Sequence, residues 1–323
     1  MADTAEAETQ STTKAELDRV RAGDTRALAR LISLVEDESP RVRSVIKELL
    51  PHTGGARIIG LTGSPGVGKS TLTGALVRAF RAAGGPGARV AVLAVDPTSP
   101  FTGGALLGDR IRMQEHATDD QVFIRSMASR GHLGGLAAST PQAIRVLDAA
   151  GFELIIIETV GVGQAEVAIA SLADSVMVLL APGMGDAIQA AKAGILEVAD
   201  MFVVNKADKP DSQQVVRDLR NMIALADPVE GGWKPPIISA VAVRGEGIDE
   251  LLSQLDAHWS WLNSSGELAR RRQARAREEI AALAFAALRG RMAGRVEELA
   301  SQVADGTLDP FQAADELLGR PTD

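Results

Sequence analysis

Eight consecutive residues, Gly63-Ser64-Pro65-Gly66-Val67-Gly68-Lys69-Ser70, fit the pattern G-x-x-x-x-G-K-[ST], with Thr71 directly after. Glycines in such a run let the backbone wrap close to an anion, so that successive N–H groups and a helix N-terminus face phosphate oxygens. Lys69 adds a point charge and Ser70 a hydroxyl suited to Mg2+, so the implied chemistry is binding of a nucleoside triphosphate. Asn205-Lys206-Ala207-Asp208 fits N-K-x-D. A carboxylate there accepts from guanine N1–H and the 2-amino group, a donor pair that adenine lacks, which favours GTP over ATP. Ser239-Ala240 reads either as support for the same base from the next loop or as an ordinary turn.

Glu158-Thr159-Val160-Gly161-Val162-Gly163-Gln164 stands where GTPases commonly carry Asp-x-x-Gly, with the carboxylate near the metal's water shell and the glycine near the γ-phosphate. Here the carboxylate is Glu158, and Gln164 lies three residues beyond Gly161 rather than next to it; slow intrinsic hydrolysis is the expectation. Asp96 and Asp109, in VDPTSP and GDRIRM, are oxygen-bearing candidates for Mg2+ beside Ser70 and Glu158. Asp186, Gln189 and Lys192 follow a Gly-rich stretch and share a face at helical spacing, which alone reads as the polar side of an N-capped helix.

Strand-like runs stand just ahead of these motifs: Arg57–Thr62, Arg89–Val95, Gln121–Ile124, Leu154–Ile157, Ser175–Leu180, Met201–Val204 and Pro236–Ser239. Helical stretches fall between them, notably Thr140–Ala149, Ala187–Glu197 and Gln213–Leu225. The alternation predicts an α/β fold, a P-loop NTPase with a mostly parallel, doubly wound sheet whose chemistry gathers at the strand C-terminal ends. Two amphipathic helices, Lys14–Leu34 and Val42–Leu50, with Pro40 between them, form a helical preface. Past Asn263-Ser264-Ser265-Gly266 a long helix over Glu267–Val303 and a short one from Asp309-Pro310 to Leu318 are predicted. The expected organisation is a disordered tail at 1–13, an N-terminal helical extension at 14–55, the GTPase domain at 56–262 and a C-terminal helical dimerisation arm at 263–323. The basic cluster Arg270–Arg277 reads as a solvated helix face.

Bulk composition narrows the partners. Of 323 residues, 46% are hydrophobic and 24% charged, and the longest apolar runs are far too short to span a bilayer, so no membrane association is expected. A net charge of −8 argues against nucleic acid as a partner. The absence of cysteine excludes disulfides and thiolate metal sites, and the four histidines are scattered. Residues 1–13 lack the basic start and apolar stretch of a secretory signal, so a cytoplasmic location is expected.

Together GSPGVGKST, VDPTSP, GDRIRM, SMASRGHLGGL, ETVGVGQ, PGMGD with Gln189 and Lys192, and NKAD resemble the MeaB/ArgK family, GTPases associated with methylmalonyl-CoA mutase. The resemblance runs from the helical preface to the C-terminal arm. It implies a homodimer held by C-terminal helices and a G-protein chaperone using GTP/GDP and Mg2+. Such a chaperone binds the adenosylcobalamin-dependent mutase, or a related acyl-CoA mutase, gates cofactor loading and protects the mutase from inactivation. By the same matching Lys69 and Ser70 hold phosphate and magnesium, Asp96, Asp109 and Glu158 belong to the metal and switch region, and Asn205 and Asp208 read guanine. Asp186, Gln189 and Lys192 fall in a third switch loop, whose lysine acts in partner-stimulated hydrolysis. The rival readings are an ArgK-like transport-associated kinase, a nickel- or zinc-insertion GTPase, disfavoured by the lack of cysteine, and a scaffold that binds GTP without hydrolysing it.

Overall fold

Short runs rich in Val, Ile and Leu become parallel strands, because side chains that fill both faces of a sheet leave no room for polar alternation. The computed structural model describes residues 14–37, 39–96, 116, 118–128, 139–159, 169–183, 198–224 and 231–319. Its strands are β1 (Arg57–Gly63), β2 (Val90–Asp96), β3 (Val122–Ala128), β4 (Leu154–Thr159), β5 (Ser175–Leu180), β6 (Met201–Val204) and β7 (Ile237–Ser239). They form one sheet in the order β3-β2-β4-β1-β5-β6-β7, every pairing parallel. The chain leaves β1 towards β2 and β3 on one side and reaches β5 to β7 on the other, so β1 and β4 flank the point where the winding reverses. Ligands of open α/β sheets bind in the crevice at such a point.

The described helices are α1 (residues 14–21), α2 (Thr25–Glu36), α3 (Val42–Leu49), α4 (Lys69–Gly84), α5 (Thr140–Ala149), α6 (Ser212–Ala224), α7 (Ile248–Ser264), α8 (Glu267–Ala304) and α9 (Pro310–Leu318). Alternate residues of the strands feed two cores. Ile155, Ile157, Val178 and Phe202 pack under α1 to α3, α5 and α6; Ile59, Ile156, Met177 and Leu179 pack under α4 and α7. The sheet is thus covered on both faces. None of the described helices is long and apolar enough to cross a membrane.

Two expectations about elements change. The helix expected over Lys14–Leu34 is two helices: Gly23 turns the chain at φ 93, and the Asp24 side chain accepts from Arg26 N at 3.0 Å and Ala27 N at 2.9 Å, capping α2. The third strand runs beyond Ile124 to Ala128. The predicted helix Ala187–Glu197 lies outside the described residues, as does the tail at 1–13. The preface shares the core of the sheet: Leu17, Val20, Leu31 and Val45 belong to the same buried cluster as Ile155. Arg125 of β3 donates to Ser33 Oγ at 3.0 Å and pairs with Glu36 of α2.

The chain divides into two units, residues 1–271 and 272–323. The basic cluster is not uniformly a solvated face, because Arg271 donates to both carboxylate oxygens of Asp200 at 2.8 Å and to Asp174 O at 2.9 Å. In the second unit Leu299 and Ala313 are buried, Arg295 pairs with Glu298 and Glu316, and Asp309 caps α9 by accepting from Phe311 N and Gln312 N.

Candidate nucleotide-binding site

The phosphate loop follows β1 and opens α4, as its spacing predicts. Gly63 has φ 147, and a Cβ there would stand 2.4 Å from Leu179 O of the neighbouring strand; Gly68 has φ 97, and a Cβ there would meet Asn205 Nδ2 at 2.4 Å. Both positions need glycine for conformation and for space. Val67 is wholly buried and anchors the loop in the core, while Pro65, Gly66 and Thr71 are exposed. Lys69, at the first turn of α4, donates from Nζ to Gly63 O at 2.7 Å and Ser64 O at 3.2 Å, which stretches the ammonium along the loop. A cation held there, with the N-terminal amides of α4, makes an anion site.

Glu158 reaches this loop from β4, the strand beside β1 in register Leu61↔Glu158. Its carboxylate is buried at 1% exposure, accepting from Ser70 Oγ at 2.7 Å and Thr73 Oγ1 at 3.0 Å. Ser70 and Glu158 therefore meet as oxygen donors next to the phosphate loop. That donor set fits magnesium, a hard ion bound through one or two protein oxygens while phosphates and water fill the other positions. Asp96 ends β2, two strands from β1, but its side chain lies outside what is described, and Asp109, Gly161, Asp186, Gln189 and Lys192 fall wholly outside the described residues.

The base-recognition motif follows β6. Asn205 is 3% exposed; it donates from Nδ2 to Val67 O at 2.8 Å and accepts at Oδ1 from Ala242 N at 3.1 Å, tying the phosphate loop to the loop after β7. Asn205, expected only to read the base, therefore also braces the site. Lys206 adopts φ 56 and donates to Gly66 O at 2.8 Å, laying its stem across the space between the two loops. Ala207 N donates to Ala240 O at 3.0 Å, so the Ser239-Ala240 segment supports the motif through backbone; Ser239 itself is exposed. Asp208 Oδ2 lies 3.4 Å from Arg244 Nη1. Arg244 spends most of its fork on Glu246, which lowers the glutamate's pKa and raises that of the guanidinium.

Reading motifs missed Thr73, Ala242 and Arg244. Thr73 carries a faint signal, a hydroxyl one helical turn after Lys69 and so on its face of α4. Ala242 contributes a backbone N–H, which has no residue signature.

A family model described as methylmalonyl-CoA mutase-associated GTPase MeaB matches residues 28–297. A protein of Pyrococcus abyssi (strain GE5 / Orsay), provisionally named a GTPase, is 47% identical over 309 residues, 94% of either chain. The GTPase ArgK of Escherichia coli (strain K12) is 37% identical over 276 residues, 82% of this chain and 81% of its own. Among solved structures, one described as a LAO/AO transport system kinase matches with a TM-score of 0.70 at 26% identity, covering 96% of this chain and 97% of its own. With its phosphate loop, guanine motif and strand-end glutamate in place, the chain belongs to the MeaB family of methylmalonyl-CoA mutase-associated GTPases.

Proposed function

We propose that this GTPase is a G-protein chaperone of an adenosylcobalamin-dependent methylmalonyl-CoA mutase, gating cofactor delivery and protecting the mutase. The observation that carries this reading is the buried link from Ser70 to Glu158, which ties the phosphate loop to the strand leading into residues 160–168. A change at Ser70 is thereby passed to Glu158 and so to the end of β4. Hydrolysis is attack of water on the γ-phosphorus, breaking its bond to the β-phosphate oxygen and releasing phosphate, GDP and a proton. Lys69 holds negative charge at the phosphates, the α4 amides orient them, and Asp208 selects the base. Magnesium, held by Ser70 and Glu158, would draw charge from the β- and γ-phosphate oxygens. Lys192, by resemblance, completes the site when the mutase binds, so turnover of the chain alone is slow.

Phosphate release measured with and without the mutase tests this. The mutase should raise turnover at least about tenfold, a small part of what partner-supplied groups achieve in other GTPases. Lys192→Ala should bind GDP nearly as the parent does and lose the stimulation. A mutase that neither co-elutes with the chain nor changes its turnover would sink the proposal. Radiolabelled γ-phosphate arriving on an acceptor rather than as free phosphate would favour the transport-kinase reading instead.

A further inference from the structure

Thr73 belongs to no motif, yet it is fully buried in α4 with its hydroxyl oxygen 3.0 Å from Glu158 Oε2 and 3.1 Å from Lys69 O. We propose that Thr73 is the positioning residue for Glu158, fixing its carboxylate so that Ser70 presents an oxygen to phosphate-bound magnesium. The inference rests on the nucleotide-and-magnesium reading above and goes beyond it in naming the group that sets the geometry.

The hydroxyl has one proton and two acceptors in reach. In a helix it would ordinarily return that proton to the carbonyl four residues back, here Lys69 O. An ionised carboxylate is the stronger acceptor, so the proton goes to Glu158 Oε2 and a lone pair faces Lys69 O. Ser70 donates to the other oxygen at 2.7 Å, so both carboxylate oxygens are held by hydroxyls from α4. That matters more for glutamate than for aspartate, because the extra methylene adds a rotatable bond whose freedom must be removed to fix the group. A Ser70 hydroxyl that gives its proton to Glu158 turns oxygen rather than hydrogen towards a cation. Without the Thr73 hydroxyl, Glu158 loses a donor where it is 1% exposed, and the orientation of Ser70 loosens with it.

The test is binding of a fluorescent GDP analogue to the full chain, first in chelator and then over a magnesium titration. Thr73→Val should shift the magnesium midpoint upward about tenfold, the usual scale for losing a group that orients a metal ligand. Affinity in chelator should stay near that of the parent, and Thr73→Ser should restore the midpoint. In a Glu158→Gln background Thr73→Val should add little, because the two residues act as one unit. An unchanged midpoint in Thr73→Val, or full additivity with Glu158→Gln, would overturn the inference. Thr73→Ala carries the same comparison should the valine variant unfold in circular dichroism. If the parent itself shows no magnesium-dependent tightening, the nucleotide-and-magnesium reading falls and the inference with it. If the parent tightens and the variant matches it, the inference falls alone.

Discussion

At the scale of residues, Gly68 and Asn205 show how closely the phosphate and base motifs depend on each other. A methyl at Gly68 would sit 2.4 Å from Asn205 Nδ2 at a φ of 97, so the side chain would have to leave its bonds to Val67 O and Ala242 N. Gly68→Ala should therefore cost about 1–3 kcal/mol in chemical denaturation, from backbone strain and the lost brace. It should also weaken GDP binding severely in fluorescence titration; a variant that binds like the parent would show that the loop yields freely. Asp208→Asn replaces an acceptor-only carboxylate by an amide that turns a donor to the base. GTP affinity should fall about 10- to 100-fold, the worth of charge-assisted hydrogen bonds, while XTP, with a carbonyl at position 2, gains. Competition binding with both nucleotides checks this, and an unaltered GTP preference would remove Asp208 from base recognition. The types and spacing of these residues made them legible in the sequence, because few side chains suit a backbone cradle or a guanine edge. The role of Thr73 was only faintly legible: it meets Glu158 85 residues away, and only the pairing of β1 with β4 brings the two together.

At the scale of elements, the strands were legible from their β-branched and apolar runs, whereas the break between α1 and α2 was not. Leu17, Val20, Leu28 and Leu31 keep helical spacing across Gly23 and Asp24, so periodicity conceals a cap that backbone geometry reveals. The start of α8 was likewise read as surface. Asp200, just before β6, is 5% exposed and holds Arg271 at 2.8 Å through both carboxylate oxygens, with His258 Nε2 3.3 Å from Oδ1. His258 is enclosed by Trp233 and Trp261, and its Nδ1 meets Ser175 Oγ at 2.8 Å. Burial pushes the Asp200 carboxyl up, but the neighbouring His258 and the hydrogen bonds from Arg271 outweigh it and hold the pKa below the ordinary aspartate value. A carboxylate depressed in the folded state contributes stability that is complete above its unfolded pKa, about 3.9, and is lost as pH falls through the folded value. Arg271→Ala should lower stability at pH 7 by about 3 kcal/mol, because Asp200 stays buried without its main partner. The variant's decline below pH 4 should also be shallower than the parent's. Urea unfolding across pH 3–7 checks both, and equal stability of the two chains at pH 7 would show that the pair is dispensable.

At the scale of the whole molecule, residues 272–323 raise the question of what covers them. Ile280, Leu283, Phe285 and Leu288 of α8 and Phe311 of α9 are all exposed, although each is large and apolar. Ile280 and Phe285 lie roughly 140° apart around a helix of 3.6 residues per turn, so the apolar surface is not a single stripe. A helix apolar on more than one side is buried by more than one neighbour. The family resemblance names that neighbour as the same arm of a second copy, which would supply two helices at once. The arm was legible as helices, from its Ala, Arg, Glu and Leu content; what the sequence did not show is that Arg271, near the start of α8, is held by Asp200. Light scattering of the full chain should give twice the chain mass. Phe285→Asp combined with Leu288→Lys should return it to a monomer, since two buried charges would then face each other's apolar surroundings. The nucleotide-site contacts between Ser70, Thr73 and Glu158 all lie within residues 1–271, so GDP affinity of that variant should stay within about twofold of the parent, as for independent sites. A parent of monomeric mass would refute the dimer. A double variant that remains dimeric would place the contact elsewhere, and one that loses nucleotide would show that pairing of the arms shapes the site.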